Sequence, residues 1–333
     1  MLRSTVLLFE RIAIAFFICG VTASCSGSSE KGAISIALDS DKEKTMLSAY
    51  FGGYVSPKGG DPWAAGILSQ KENEIYLHLD KLHSLQPKIA YAPQDADGDG
   101  LFVWEEIEPF IERSYYAVRA FPATLEELRR VYDYTSNPAW FRLRLVGSMI
   151  AAERTIYIHT DALRAALKTY AEHQEKVVYP EETVIVGEHR IDGRHIETAV
   201  MKKRYDGYWD FFLYDEEGNL ARETVTPPRP LKAPTQCMGC HLGSKPFEPE
   251  KSFPAPASPG PHGPRVVYVE ESLKQPDVVA FFDEHAKRSD SVLGLYGTLF
   301  VSALRLQREQ ATISEEDRQL LESLEAFRDG SGE

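Results

Sequence analysis

Thr183-Val-Ile-Val186, Ile196-Glu-Thr-Ala-Val-Met201 and Tyr208-Trp-Asp-Phe-Phe-Leu-Tyr214 follow one another in the chain with turn residues between them, and this run decides the fold. Each stretch is rich in β-branched and aromatic residues, the signature of strands bounded by turns. Asp215-Glu-Glu-Gly-Asn219 closes the run as a further turn. Upstream, Arg154-Thr-Ile-Tyr-Ile158 is strand-like, and Thr160 is placed to cap a helix carrying Leu163, Ala166, Leu167 and Tyr170 on one face. Residues 45–135 are expected to be helical, with segments near 65–85, 104–119 and Thr124–Tyr134. The tail is again helical over Asp277–Arg288, Leu293–Arg308 and Ser314–Phe327. Its last helix opens on a Ser-x-x-Asp cap with Glu315, Glu316 and Asp317 in the first turn. The expected class is α+β, an antiparallel β-sheet domain at 136–260 between helical regions at 45–135 and 261–333.

Just past the strands, between two proline-rich stretches, lies Cys237-Met238-Gly239-Cys240-His241. In C-x-x-C-H the two thiols add across the haem vinyl groups and the adjacent histidine becomes an axial iron ligand. A redox dithiol or half a zinc site is the competing reading. No second C-x-x-C exists, and the flanks lack a strand-then-helix thioredoxin pattern. The expected cofactor is one covalent haem c on Cys237 and Cys240, with His241 on the iron.

The other two cysteines fit an extracytoplasmic address. Cys19 lies in a short apolar run from Ile12 to about Val21, preceded by Arg3 and Arg11 and followed by Val21-Thr-Ala-Ser-Cys25. A basic start, a short apolar core and small residues before a cleavage point make a secretory signal over residues 1–24. The end of that signal resembles a bacterial lipobox, so that Cys25 is the lipid-bearing residue and residues 25–44 a polar tether. An ordinary signal cut near Ala23 is the alternative. Ser26 after the acylated cysteine favours the outer membrane, facing the periplasm or the cell surface, by resemblance to lipoprotein sorting.

The formal charge of −13 becomes about −14 once Arg3, Glu10 and Arg11 leave with residues 1–24. No Lys/Arg cluster stands out, so nucleic acid and anionic lipid surfaces are not expected partners. The expected body is soluble and anchored by its lipid.

Asp95-Ala-Asp97-Gly-Asp99-Gly100-Leu101-Phe-Val103-Trp104-Glu105-Glu106 fits the twelve-residue calcium loop. Asp95, Asp97 and Asp99 take positions 1, 3 and 5, and Gly100 the sharp turn. Leu101 offers its carbonyl, Val103 acts through water and Glu106 closes the site. Pro87 and Pro93 flank an extended Lys88–Ala92, so a Ca2+ loop is expected without a complete helix before it.

From Arg154 to about Pro254 the order of these pieces resembles the cytochrome P-460 / cytochrome c′-β family. The pieces are Arg154-Thr-Ile-Tyr-Ile, Tyr179-Pro-Glu-Glu-Thr-Val-Ile-Val-Gly-Glu188, Ile196-Glu-Thr-Ala-Val, the Trp209-Asp-Phe-Phe block and the late C-x-x-C-H. The resemblance implies an antiparallel sheet as the distal wall over the haem, His241 as proximal ligand and an open or apolar opposite iron face. It implies oxidation of hydroxylamine or nitric oxide in cross-linked members, and binding of small gases in the others. Cross-linked members carry a lysine where this chain has Gly187, so no such cross-link forms there. The family's distal carboxylate falls on Glu197, a candidate proton acceptor, with an ordinary exposed strand residue as the other reading.

Alternation places Thr183, Ile185, Gly187 and His189 on one strand face, and Glu197, Ala199 and Met201 on another. If both line the haem, His189 or Met201 can approach the iron as a sixth ligand. Three readings stay open: a haem module with an open or weakly capped iron site for electrons or a small nitrogen or gas ligand, a six-coordinate electron carrier working with redox partner proteins, and a hydroxylamine or nitric oxide oxidoreductase using Glu197.

Overall fold

The computed structural model describes residues 32–37, 41–72, 74–147, 152–173, 177–225, 230–241, 259–260, 263–264, 267–269, 271–273 and 291–330. The signal segment, Cys19, Cys25 and the helix expected over Asp277–Arg288 lie outside them.

A six-stranded antiparallel sheet organises the chain. Its strands are β5 (Trp140–Gly147), β6 (Glu153–His159), β7 (Val184–Ile191), β8 (Arg194–Lys203), β9 (Trp209–Tyr214) and β12 (Val267–Val269), in the order β12-β5-β6-β7-β8-β9. Strands β6 to β9 coincide with the four stretches of β-branched and aromatic residues. Strand β5 was not foreseen, although Leu143 and Leu145 alternate with Arg142 and Arg144 and only the leucines are buried. A two-residue pair, β10 (Pro259–Gly260) and β11 (Gly263–Pro264), precedes β12.

Cross-strand partners share a face of the sheet. The register therefore sorts the residues into two layers. One face carries Leu143, Ile156, Ile158, Ile185 and Phe211. These pack with buried residues of the N-terminal region and of the helices α5 (Thr160–His173), α7 (Ser291–Glu309) and α8 (Glu315–Gly330). The other carries Tyr157, Val184, Val186, Val200, Phe212 and Tyr214, under α4 (Leu125–Tyr132). Leu163, Ala166, Leu167 and Tyr170 are all buried on α5, as their spacing predicted. The tail helices cover the sheet domain: α7 and α8 pack on α5, and Phe300 of α7 meets Phe141 of β5 at 5.3 Å between ring centroids.

The N-terminal region differs from its helical expectation. It holds a four-stranded sheet of order β2-β3-β1-β4, built from β1 (Ala33–Ile36), β2 (Leu68–Lys71), β3 (Glu74–His78) and β4 (Leu101–Phe102). Within the 65–85 segment only α2 (Leu79–Leu85) is helical. Glu72 adopts φ 55 between the strands, and buried Leu68, Ile75 and Leu77 alternate with polar residues. Strand β1 and the start of α1 (Asp41–Val55) fall inside the expected tether, where Ile34 and Ile36 give the strand an apolar edge. Helix α3 (Trp104–Ser114) stops short of 119 and tightens into a 3-10 turn at Tyr115–Val118. The segment limits at 135 and 260 do not separate cores. One buried cluster runs from Ile36 to Leu324 and draws on all three segments.

A buried ionic clamp joins the N-terminal region to the sheet. Asp210 Oδ1 accepts from Arg119 Nε at 3.2 Å, Arg204 Nη1 at 2.8 Å and the Tyr115 hydroxyl at 3.1 Å. The two arginines also donate to the Tyr50 and Ala49 carbonyls of α1, at 2.9 and 2.8 Å. That approach is open only because α1 carries Gly52 and Gly53. A Cβ on Gly53 would stand 2.4 Å from the Arg119 guanidinium.

Candidate functional site

Cys237, Cys240 and His241 lie together on the short helix α6 (Thr235–His241), which packs against α1 and α3. Met238 is fully buried, while Cys237 is half-buried against the core and forms no disulfide. The helix is entered through a hairpin. Ala233 N–H donates to the Arg222 carbonyl, and Thr224 N–H to the Leu231 carbonyl. Its start is held by α3: Lys232 Nζ lies 3.3 Å from Glu108 and 3.6 Å from Glu112, and the Thr235 hydroxyl donates to Glu112 at 3.2 Å. The Glu108 carboxylate, aided by Glu112, raises the Lys232 pKa. Burial and the neighbouring Glu108 push Glu112 up, against the pull of Lys232.

On the core-facing side of the main sheet, Glu197 and His189 form a buried pair. Their exposures are 1% and 4%, and His189 Nδ1 stands 2.7 Å from Glu197 Oε1. The other carboxylate oxygen accepts the Val225 N–H at 2.7 Å. Glu197 is therefore not an exposed strand residue. A bulge brings the pair together: Arg190 opposes His195 and His189 opposes Glu197, so Ile196 has no opposite number. Burial lowers the His189 pKa and nearby Arg154 adds to this, with the hydrogen bond and charge of Glu197 opposing.

The two strand faces separated in the sequence reading are one. Gly187 pairs with Ala199, Ile185 with Met201 and His189 with Glu197, so all six residues share a surface. Arg154, on β6 opposite His189, brings a guanidinium whose buried Nε has no hydrogen-bond partner. A Cβ on Gly187 would meet Ile156 Cδ1 at 3.1 Å and His189 Nε2 at 3.7 Å. The Gly187 position is thus bordered by the histidine ring. Met201 packs against the core, opposite Ile185 and Phe211.

The calcium loop brings three of its predicted ligands together. One carboxylate oxygen from each of Asp95, Asp97 and Asp99 lies within 4.8 Å of the others. Asp95 accepts the N–H of Gly98 at 2.7 Å and of Gly100 at 2.9 Å, and both glycines have positive φ. Glu106 lies outside that cluster. Its carboxylate accepts the Ala96 N–H at 2.6 Å and the Val103 N–H at 3.1 Å, closing the loop and capping α3. Leu101 sits in β4, which pairs in parallel with β1. Residues 86–100 form no helix or strand, so no helix leads directly into the loop.

Compared with protein-family models, curated proteins and solved structures, the chain matches none. Cys237, Cys240 and His241 share one short helix, the spacing that would let two cysteines and a histidine hold a haem c, and the buried Tyr50 hydroxyl on the adjacent α1 has no hydrogen-bond partner. Among the described residues no helix is long and apolar enough to cross a membrane.

Proposed function

We propose that the chain is an extracytoplasmic monohaem c-type cytochrome of the cytochrome P-460 / cytochrome c′-β kind, anchored through a lipid on Cys25. It handles electrons or a small nitrogen or gas ligand at an open or weakly capped iron face. The observation that carries this reading is α6, where Cys237, Cys240 and His241 stand on one helix wedged against α1 and α3. Cys237 and Cys240 would hold the haem covalently and His241 would ligate it axially. When bound, the haem supplies a one-electron centre with an exchangeable face. On the core side of the sheet, Gly187 and Ala199 are the small residues, beside the polar groups His189, Glu197 and Arg154.

Glu197 is placed to accept or hold a proton through His189, which keeps an oxidoreductase as the second reading. Gly187 offers no amine for a porphyrin cross-link, which sets hydroxylamine oxidation behind electron and gas handling. We assign a structural Ca2+ to the loop of Asp95, Asp97, Asp99, Leu101 and Glu106, with support from the three gathered carboxylates.

The test is expression with the haem-attachment machinery, followed by the alkaline pyridine spectrum of the purified protein. The expected result is one covalent haem per chain, lost in Cys237→Ala, and a His241→Ala variant without the native spectrum. A wild-type chain free of covalent haem overturns the reading. Turnover of hydroxylamine that Glu197→Gln abolishes would instead select the enzyme.

A further inference from the structure

The geometry points to a second binding site, for a neutral saccharide, in the cleft between the loop that follows α1 and the turn that joins β8 to β9. None of its lining residues belongs to α6 or to the His189–Glu197 pair, so it stands apart from the haem reading.

The cleft holds about 440 Å³, within the roughly 300–1,000 Å³ of small-molecule sites. One side chain ties its walls together. Asp206 Oδ2 accepts from Arg204 Nη2 at 2.7 Å and from the Gly60 N–H at 3.1 Å. Its Oδ1 accepts from Arg204 Nε at 3.1 Å and from the Tyr208 N–H at 3.2 Å. Gly59 permits this closure: it has φ 94, and a Cβ there would stand 2.5 Å from the Asp206 carboxyl group. Trp63 Nε1 donates to the Ser48 hydroxyl at 2.9 Å, which fixes the indole to α1.

Three aromatic rings, Trp63, Tyr205 and Tyr208, line the space, and Tyr205 is 55% exposed. Polar groups beside them have capacity left over. Asp61 Oδ1 accepts the N–H groups of Trp63 and Ala64 at 2.8 and 3.2 Å. Its Oδ2 and the hydroxyls of Tyr205 and Tyr208 have no hydrogen-bond partner among the described residues.

Charge then selects the ligand class. An anion would meet two carboxylates, Asp61 and Asp206, in a lining that has no basic side chain. A cation would find every ring already occupied: Lys44 stands 5.4 Å from the centre of Trp63, Lys58 5.1 Å from Tyr205 and Arg204 5.8 Å from Tyr208. An apolar ligand would bury the spare Asp61 oxygen without a partner. A neutral sugar ring meets all three conditions. Its C–H face lies on the negative face of an aromatic ring, and its hydroxyls pair with a carboxylate and two phenols.

The test is saturation-transfer NMR and calorimetric titration of the full-length protein with maltose, cellobiose and N,N′-diacetylchitobiose. Glucuronate, tetramethylammonium and adenosine serve as anionic, cationic and flat heterocyclic controls. The expected result is saturable transfer to the ring protons of at least one neutral disaccharide. Tyr205→Ala removes an exposed ring, and Asp61→Asn keeps an oxygen for the turn, so both variants should melt like the wild type. Each should weaken binding of that disaccharide about tenfold, the loss of one charged hydrogen bond or one ring contact. Absence of transfer to every neutral disaccharide overturns the proposal. So does wild-type affinity in either variant, or tighter binding of any control. Haem content, measured on the same samples, tests the cytochrome reading separately.

Discussion

Asp210 is buried with side-chain exposure of 3%, and the two guanidiniums around it show 1% each. Removing its charge takes from Arg119 the carboxylate it bonds, while Arg204 keeps Asp206 at 2.7 Å, and unpairing a buried ion group costs about 3–5 kcal/mol. Asp210→Asn should therefore lower the unfolding free energy by an amount of that order, read as a lower urea midpoint at the same denaturant slope. Gly53 gives a sharper case because two effects oppose. Alanine in a helix gains about 1 kcal/mol over glycine. The added Cβ, however, would lie 2.4 Å from Arg119, and overpacking of this kind costs about 1–3 kcal/mol. The clash wins, and Gly53→Ala should lower the melting temperature. An increase would mean that Arg119 yields easily. Neither arginine nor its aspartate was singled out by sequence, since a charged residue 91 positions from its partner carries no local pattern.

At the scale of elements, α3 has two loads. Its first turn is capped by Glu106, the closing residue of the calcium loop, and its next two turns hold α6 through Glu108 and Glu112. Trp104 at its start stacks on Tyr50 with ring centroids 6.1 Å apart. Binding to the folded state alone stabilises by about 2.7 kcal/mol when free calcium is about a hundredfold above Kd. Chelation should lower the melting temperature and change tryptophan emission, and Asp99→Asn should erase the calcium response. An unchanged melt in chelator would discard the structural role. Lys232→Ala should leave that melting response intact while loosening α6, read as faster proteolysis after residue 230. The strands β6 to β9 were legible because each buries one or both faces with β-branched and aromatic side chains. Strands β2 and β3 were not, since four or five residues with only one or two buried apolar positions fit a helix face as well as a strand. The pairing of His189 with Glu197 was hidden for another reason: alternation assigns faces within a strand, but a bulge decides which residues meet across it.

For the whole molecule, three depressed carboxyls among the described residues set the acid limb of the response to pH. Burial alone would raise Glu188, but Arg129, Tyr134 and Arg190 outweigh it and hold the carboxyl below 4.5. Asp210 and Asp317 are likewise penalised by burial yet held below 3.8, by Arg119 with Arg204 and by Arg164 with Ser314. A carboxyl depressed in the folded state contributes stability that is fully present above its unfolded pKa and is lost as pH falls through its folded one. Burial also lowers His189 and His195, which protonate more readily when unfolded, so the urea midpoint should begin to fall once pH passes below about 6.5 and drop steeply below about 4. An acid-insensitive midpoint would contradict the network. Deleting residues 291–333 should prevent folding, because it strips Tyr296, Leu299, Phe300 and Leu304 from the shared core. The clamp on α1 has one more consequence, for the order in which the protein can mature. As the chain is made, Arg119 emerges long before Arg204 and Asp210, and until they arrive its guanidinium lies over α1 without the buried carboxylate that neutralises it. The clamp on α1 is therefore completed only when β8 and β9 have been made, and the chain then reaches Cys237 within 27 residues of Asp210.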